Sequence, residues 1–268
     1  MSRKGRLWLF LAGAAVVAVL LGAAAFALPP FGGDHHPYGD RAVRAALAHR
    51  TANAVAAVNF DQRAFDTLGE ESILFSAVLG TVVLLRQTTG ERRRRPRPAR
   101  VPGTVRRFGL ALLPVTLLTG LYVVAHGQLS PGGGFQGGVV VATALHLLYI
   151  AVDYRALERI RPIGLYAVGD AVGEAAYVLT GLAAVLAGSA FLANVLPLGT
   201  FNTLSSGGTV PLLNAAVGME VTCGIVVLLA RFLDQAVEIE GASGTTTGPA
   251  SPADPAEPAA TERKGDPA

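Results

Sequence analysis

The chain has 268 residues, of which 51% are hydrophobic and 15% are charged, and its formal net charge is +3. Since a soluble domain carries about 25% charged residues, this composition excludes an ordinary soluble protein and predicts a membrane protein. The single cysteine excludes an intrachain disulfide and gives no sign of a metal cluster.

Six apolar runs are long enough to cross a bilayer, since a helical span needs about 20 mostly apolar residues. They cover residues 7–28, 68–85, 108–125, 135–152, 171–192 and 211–233. Helices satisfy their own backbone in lipid, and the alternating pattern of barrel strands is missing from the sequence. The predicted fold class is therefore all-α: a polytopic membrane protein with six transmembrane helices, arranged as two plus four. The first run is longer than the apolar core of a signal peptide, which favours a retained span.

Basic residues cluster before the first span, between the second and third spans, and between the fourth and fifth. By the positive-inside rule, this pattern predicts cytoplasmic N and C termini in the cell membrane. The strongest cluster is a run of four arginines: Arg92, Arg93, Arg94 and Arg95. We interpret it as an anchor on anionic lipid and predict no nucleic-acid partner.

The first loop carries two amphipathic or apolar stretches before the second span begins. Residues 42–48 alternate apolar and basic positions as a short surface helix does, and residues 54–60 are apolar enough to lie against the membrane. Asp66 or Thr67 is expected to cap the second span, with Glu70 in its first turn. At the other end of the chain, residues beyond 240 have no apolar periodicity and are predicted to be disordered.

Ionisable groups inside spans are costly, and each is therefore a candidate for function. His146 and Glu220 lie at similar distances from the starts of their spans, which predicts a shared depth near the membrane midplane. Two interpretations remain open for this pair. One is a proton relay, because histidine titrates near neutral pH; the other is a pair of packing hydrogen bonds.

Asp170 and Glu174 are four residues apart, and the prediction places them near the inner end of the fifth span, on one face. Like charges at this spacing can share a proton. The alternative, which the sequence slightly favours, is a hydrated helix start where carboxylates complement the helix dipole.

A glycine-rich turn joins the third and fourth spans and ends in the fourth. The small residues permit either an ion site at a helix start or close contact between helices, and close contact is favoured. Its distinctive residues are His126, Pro131, Gly132, Gly133, Gly134, Phe135, Gly137 and Gly138.

These residues resemble the signature of the B subunit of multisubunit cation/proton antiporters of the Mrp/Mnh type. Two later stretches fit the same family, at residues 191–199 and 206–221. Residues 53–86, with the sequence from Phe65 to Glu70, resemble the two-span end of the large A subunit, which is a separate small subunit in related membrane-bound hydrogenases. The chain is thus similar to a fusion of that segment with a B subunit.

The resemblance implies a non-enzymatic subunit, without a cofactor, of a complex that exchanges Na⁺ for H⁺. It implies partner subunits of the A, C, D, E, F and G types. Glu70 is the residue that it offers as an ion-path carboxylate, whereas Glu71, a second acid beside it, departs from the family pattern. The predicted modules are residues 1–90 (A-tail), 91–107 (basic linker), 108–235 (B-like) and 236–268 (tail). A purely structural scaffold and a subunit of a related redox-driven complex are the alternatives.

Overall fold

The computed structural model describes residues 2–28, 36–86, 101–152 and 162–233, and every regular element in these ranges is helical. The four-arginine run and the tail lie outside them. In chain order the elements are α1 (Arg3–Phe26), α2 (Pro37–Ala48), α3 (Ala54–Ala57), a π-helical turn (Val58–Gln62), α4 (Ala64–Leu84), α5 (Gly103–Ala125), α6 (Gly134–Ala151), α7 (Ile163–Leu186) and α8 (Val210–Leu233).

Six of these helices (α1 and α4 to α8) are long and apolar enough to cross a membrane. The prediction of an all-α polytopic membrane protein is confirmed, and five of the six predicted spans agree closely with a helix. The bounds predicted for the fifth span, residues 171–192, were wrong, because α7 begins at Ile163 and ends at Leu186. The predicted span began just after Asp170, whereas the fold buries Asp170 inside the helix.

The helix α8 is the centre of the bundle. It contacts α4, α5, α6 and α7, and 61% of its apolar window is buried, against 6% for α5. Its buried residues include Leu213, Val217 and Val221, which join Tyr177 of α7 in the main apolar core. Among the described spans, α8 is the one surrounded by the chain's own helices, so the groups on its buried face lie far from lipid.

Glycines set the distances between these helices. A side chain at Gly134 would lie 2.5 Å from the Asn214 carbonyl oxygen, and one at Gly138 would lie 2.8 Å from Val221. These contacts run in the same direction along both helices, so α6 and α8 are parallel. The backbones approach more closely than any residue larger than glycine permits.

The loop before α4 folds onto the bundle, where it reaches the glycine-rich turn. Residues 42–48 are helical, as predicted, within α2. In the segment 54–60, Ala56 and Phe60 are buried in the main core beside Tyr177, while Val55 is exposed. At the N-terminus, α1 has no buried residue and makes no extensive contact with the other described helices.

Candidate functional site: a carboxylate cluster between three spans

Four carboxylates from three spans converge where α4, α7 and α8 meet. They are Glu71 of α4, Asp170 and Glu174 of α7, and Glu220 of α8. Glu71 and Glu220 are completely buried, and Asp170 is 3% exposed. Acidic side chains are almost never buried unless they are paired, so this cluster is the strongest functional candidate in the described part of the chain.

Glu71 and Glu220 lie against each other across the contact between α4 and α8. No hydrogen-bond donor of the other described residues reaches any of their four oxygens. Two adjacent buried carboxylates cannot both be ionised at reasonable cost, because the like charges repel and neither is hydrated. One proton held between the two groups removes one charge and supplies a hydrogen bond.

Asp170 and Glu174 extend the cluster along α7. The Ser72 hydroxyl of α4 donates a hydrogen bond to Glu174 over 2.9 Å. A side chain at Gly224 would lie 2.9 Å from Asp170 Oδ1, so the carboxylate packs directly against α8. These are the eighth and twelfth residues of a 24-residue helix. The interpretation of the pair as a hydrated helix start was therefore wrong.

The charge of the cluster is not balanced within the described residues, where only acidic side chains act electrostatically on Glu71, Asp170 and Glu220. The described His, Cys, Asp and Glu residues also form no group arranged to hold a metal ion. Buried carboxylates of this kind are suited to hold protons, since a proton needs one or two oxygens and not a complete ligand shell.

Glu70 lies outside this cluster. It is exposed, about 100° around α4 from Glu71, on which it still acts electrostatically. It lies in the second turn, because the helix begins at Ala64 and not at the expected cap. Asp66 is inside the first turn and pairs with Arg63, while the Thr67 hydroxyl donates to the Asn59 carbonyl over 2.7 Å. The two expected caps thus have other roles.

Glu71 is the residue of the cluster that the sequence did not single out as a site candidate, although it lies beside Glu70. It shares a buried face with Ala64, Thr67 and Val78, at helical spacings of seven, four and seven residues. The signal in the sequence is weak, because α4 is apolar on nearly all sides and its periodicity does not show which glutamate faces inward. The choice between adjacent glutamates depends on the packing of α4 against α8.

His146 is half-buried on α6, but the fold does not place it at the depth of Glu220. Gly138 of α6 meets Gly218 and Val221 of α8, so Glu220 lies level with the second turn of α6. His146 is roughly two turns further along the helix, about 12 Å by the rise per residue. The prediction of a shared depth was wrong, because α8 begins one turn before α6 does at this end of the bundle.

The glycine-rich turn is a tight corner. Gly132 and Gly133 have φ angles of 129° and 150°, which favour glycine. The N–H of Gly134, at the start of α6, donates a hydrogen bond to Asn214 Oδ1 over 2.9 Å. The Asn214 side chain therefore already occupies this helix start. His126 ends α5 and stacks on Tyr122, with 3.9 Å between ring centroids. These contacts favour the close-packing interpretation over an ion site.

A side chain from the segment before α4 holds this turn. Asn53 Nδ2 donates to the carbonyls of Gly127 and Ser130, each over 2.8 Å, and the Asn53 N–H donates to the Gln128 carbonyl over 3.0 Å. Its Oδ1 caps α3. One asparagine therefore joins residues before α4 to the α5–α6 corner.

Comparison with known protein families identifies a match within the second half of the chain's described spans. Residues 104–227 match the family described as a domain related to the MnhB subunit of Na⁺/H⁺ antiporters. Among curated proteins, an uncharacterized protein of Methanocaldococcus jannaschii is 29% identical over 65% of this chain and 74% of its own length. The B subunit of the Na⁺/H⁺ antiporter of Bacillus subtilis is 33% identical over 29% of this chain, which spans about half of that relative (54%).

Two solved structures have a similar fold. A chain of the membrane-bound sulfane sulfur reductase, an archaeal respiratory membrane complex, has a TM-score of 0.69 and 28% identity, with 86% of this chain and 99% of that chain covered. A chain of the Mrp complex from a Dietzia species has a TM-score of 0.66 and 26% identity, with 89% of this chain but 27% of that chain covered. Both likenesses extend well beyond residues 104–227, into the part of the chain that carries Glu71.

Proposed function

We propose that this chain, a multi-pass protein of the cell membrane whose residues 104–227 are an MnhB-related domain, works as a subunit of an Mrp-type monovalent cation/proton antiporter. It contributes to assembly and to ion passage. We further propose that protons are the ions it handles, through Glu71, Asp170, Glu174 and Glu220. The other subunits of the complex, Na⁺ and H⁺ are its partners, and no reaction or cofactor is assigned to it.

One observation carries the proposal at the level of residues: Glu71 and Glu220 meet, fully buried, across α4 and α8. Glu71 precedes the MnhB-related domain, whereas Glu220 belongs to it. Asp170 and Glu174 are close enough to act electrostatically on this pair, so we assign them to the next step of a proton path along α7. Proton relays inside membranes commonly consist of such chains of carboxylates.

His146 of α6 is a second proton carrier in this proposal, about two helical turns further along the bundle than Glu220. A gap of about 12 Å exceeds a direct hydrogen bond and requires intervening water or further polar groups. We therefore assign His146 to a later step of the same path and expect a smaller effect from its loss than from the loss of Glu220.

The test is antiport in membrane vesicles that contain the complete complex, in a host without its own sodium antiporters. Glu71→Gln and Glu220→Gln keep the shape of each side chain and remove its ability to hold and release a proton. We expect each to lower antiport at least about tenfold, as the loss of a proton-transfer group does, with normal amounts of assembled complex. Asp66→Asn, an exposed carboxylate on the same helix, is the control and should transport normally.

Glu70→Gln completes this experiment. If Glu70→Gln abolishes antiport and Glu71→Gln does not, the proton path runs over the outer face of α4 and the buried pair is structural. Normal antiport in both Glu71→Gln and Glu220→Gln would contradict the proposal and favour the scaffold alternative, provided that the complex assembles.

A second candidate function is a membrane subunit of a redox-driven respiratory complex. It is favoured because this chain covers 99% of the matched sulfane sulfur reductase chain but 27% of the matched Mrp chain. Purification of the tagged chain from its own host distinguishes the two. Subunits with redox centres in the isolated complex would support the respiratory alternative, and their absence from an active antiporter complex would support ours.

A further inference from the structure

We propose that the outer face of α4 docks against a transmembrane helix of another subunit, and that this partner helix donates a hydrogen bond to Glu70. The outer face consists of Gly69, Glu70, Ile73, Ser76, Ala77 and Gly80. The inference rests on the proposed function in one respect only, which is that the chain belongs to a complex of several subunits.

The carboxylate of Glu70 is the first argument. Glu70 follows Gly69 in the second turn of a membrane-spanning helix and is exposed, while the adjacent Glu71 is completely buried among the spans. No hydrogen bond or ion pair joins Glu70 to another described residue. A charged group at this depth, facing hydrocarbon, is costly, and acidic residues inside spans face a protein neighbour or a water-filled cavity. Lipid chains cannot supply the missing donor.

The glycines are the second argument. Side chains at Gly69 and Gly80 would meet nothing within 4 Å, so these glycines serve no contact within the described chain. By contrast, Gly120, Gly137 and Gly173 each face the backbone of a neighbouring helix at 3.0 Å or less. Where this protein joins two helices closely, it uses glycine. The open glycines of α4 therefore provide the same kind of surface for a helix that the described chain does not contain.

The two features coincide on one face. Gly69, Glu70, Ile73, Ser76, Ala77 and Gly80 recur at intervals of three and four residues, opposite the buried face of Glu71 and Val78. The helix α1 also has open glycines, Gly13 and Gly22, but no polar group accompanies them. On α4, by contrast, a carboxylate lies beside the open glycines, and this distinguishes the face from one that contacts only lipid.

A second copy of this chain fits the face poorly. Two copies joined symmetrically through this face would bring the two Glu70 carboxylates close to each other, and like charges at a membrane interface repel. A different helix that carries a serine, threonine, asparagine, lysine or arginine at the level of Glu70 satisfies the carboxylate instead. Charge complementarity therefore selects a different subunit as the occupant.

Purification of the complete complex through a tag on this chain tests the surface. Gly80→Leu places a bulky side chain on the face without a clash inside the chain, and Gly164→Leu makes the same change at an equally open glycine of α7. We expect Gly80→Leu to lower the yield of the adjoining subunit, relative to this chain, by about tenfold, and Gly164→Leu to leave it unchanged. Glu70→Leu should lower the yield, and Glu70→Gln, which still accepts a hydrogen bond, should lower it less.

A photo-crosslinking residue at Ala77 identifies the occupant, with Leu118, an exposed residue of α5, as the control position. A crosslink from Ala77 to a different subunit, weaker in Gly80→Leu, is the expected result. A crosslink only to lipid, or a product of twice the mass of the chain, would overturn the proposal. If no other subunit copurifies with the unaltered chain, both the surface and the proposed function fail; if subunits copurify and Gly80→Leu retains them all, the surface alone fails.

Discussion

The glycine-rich corner and the carboxylate cluster are both buried and polar, but the side chains that define them differ in hydrogen bonding. At the corner, the side chains of Asn53 and Asn214 bond to backbone groups of the turn at 2.8–2.9 Å. In the cluster, all four oxygens of Glu71 and Glu220 lack a donor from the other described residues. The comparison separates a region that holds the helices in place from one that is arranged to exchange protons.

The difference has an energetic reason. A paired buried amide adds to stability, while a buried carboxylate without a donor costs several kcal/mol, about the whole stability of a small domain. A chain that only needed to pack would place leucine or valine at the contact between α4 and α8. Substitutions at the corner should therefore affect folding, and substitutions in the cluster should affect transport.

The largest effect on folding is expected from Gly138→Leu. A side chain at this position would lie within 3.0 Å of the Gly218 carbonyl and of Val221, and neither α6 nor α8 can move without disturbing the core. We expect a loss of more than about 3 kcal/mol, measured as loss of the chain from the membrane fraction. Gly164→Leu, at an open position of α7, is the matched control. Equal amounts of both variants would show that α6 and α8 are not in close contact.

An intermediate effect is expected from the double substitution Glu71→Leu and Glu220→Leu. It should raise the stability of the chain and lower transport. Replacement of both buried carboxylates by apolar side chains of similar volume removes their desolvation cost and should stabilise the chain by about 1–4 kcal/mol. Antiport should be lost. Thermal unfolding of the purified complex and vesicle transport measure the two effects. A less stable double variant would mean that the pair contributes to folding, which contradicts the contrast between the two regions.

The smallest of the three effects is expected from Asn53→Ala. It removes the two hydrogen bonds donated to Gly127 and Ser130, leaves these carbonyls unpaired, and also removes the cap on α3, at a cost of about 1–3 kcal/mol. The thermal midpoint of the complex should fall, while the antiport rate per assembled complex stays unchanged. Asn53→Asp keeps the cap on α3 but replaces the donor by an oxygen that faces the two carbonyls, so it should also lower the thermal midpoint. A change of transport rate at full assembly would place the corner on the ion path.

By itself, the sequence determined the class and the spans of this protein, because apolar runs about 20 residues long have few other uses. It also favoured, for the turn from His126 to Gly138, the close helical corner that the fold contains. It did not determine the start of α7, where Asp170 and Glu174 resemble a hydrated terminus until the helix is seen to bury one of them. The sequence shows which residues can carry a charge, but whether such a residue is buried depends on the side chains that pack around it.

Only the tertiary structure decided which groups form the site. Glu70 and Glu71 are adjacent in sequence, but a helix turns by about 100° between them, and one becomes exposed while the other meets Glu220. The relative depth of His146 and Glu220 was decided in the same way, by the offset at which Gly138 packs against Val221. Local sequence defines each helix; the register and rotation of the helices against one another define the site, because they follow from contacts between residues far apart in the chain.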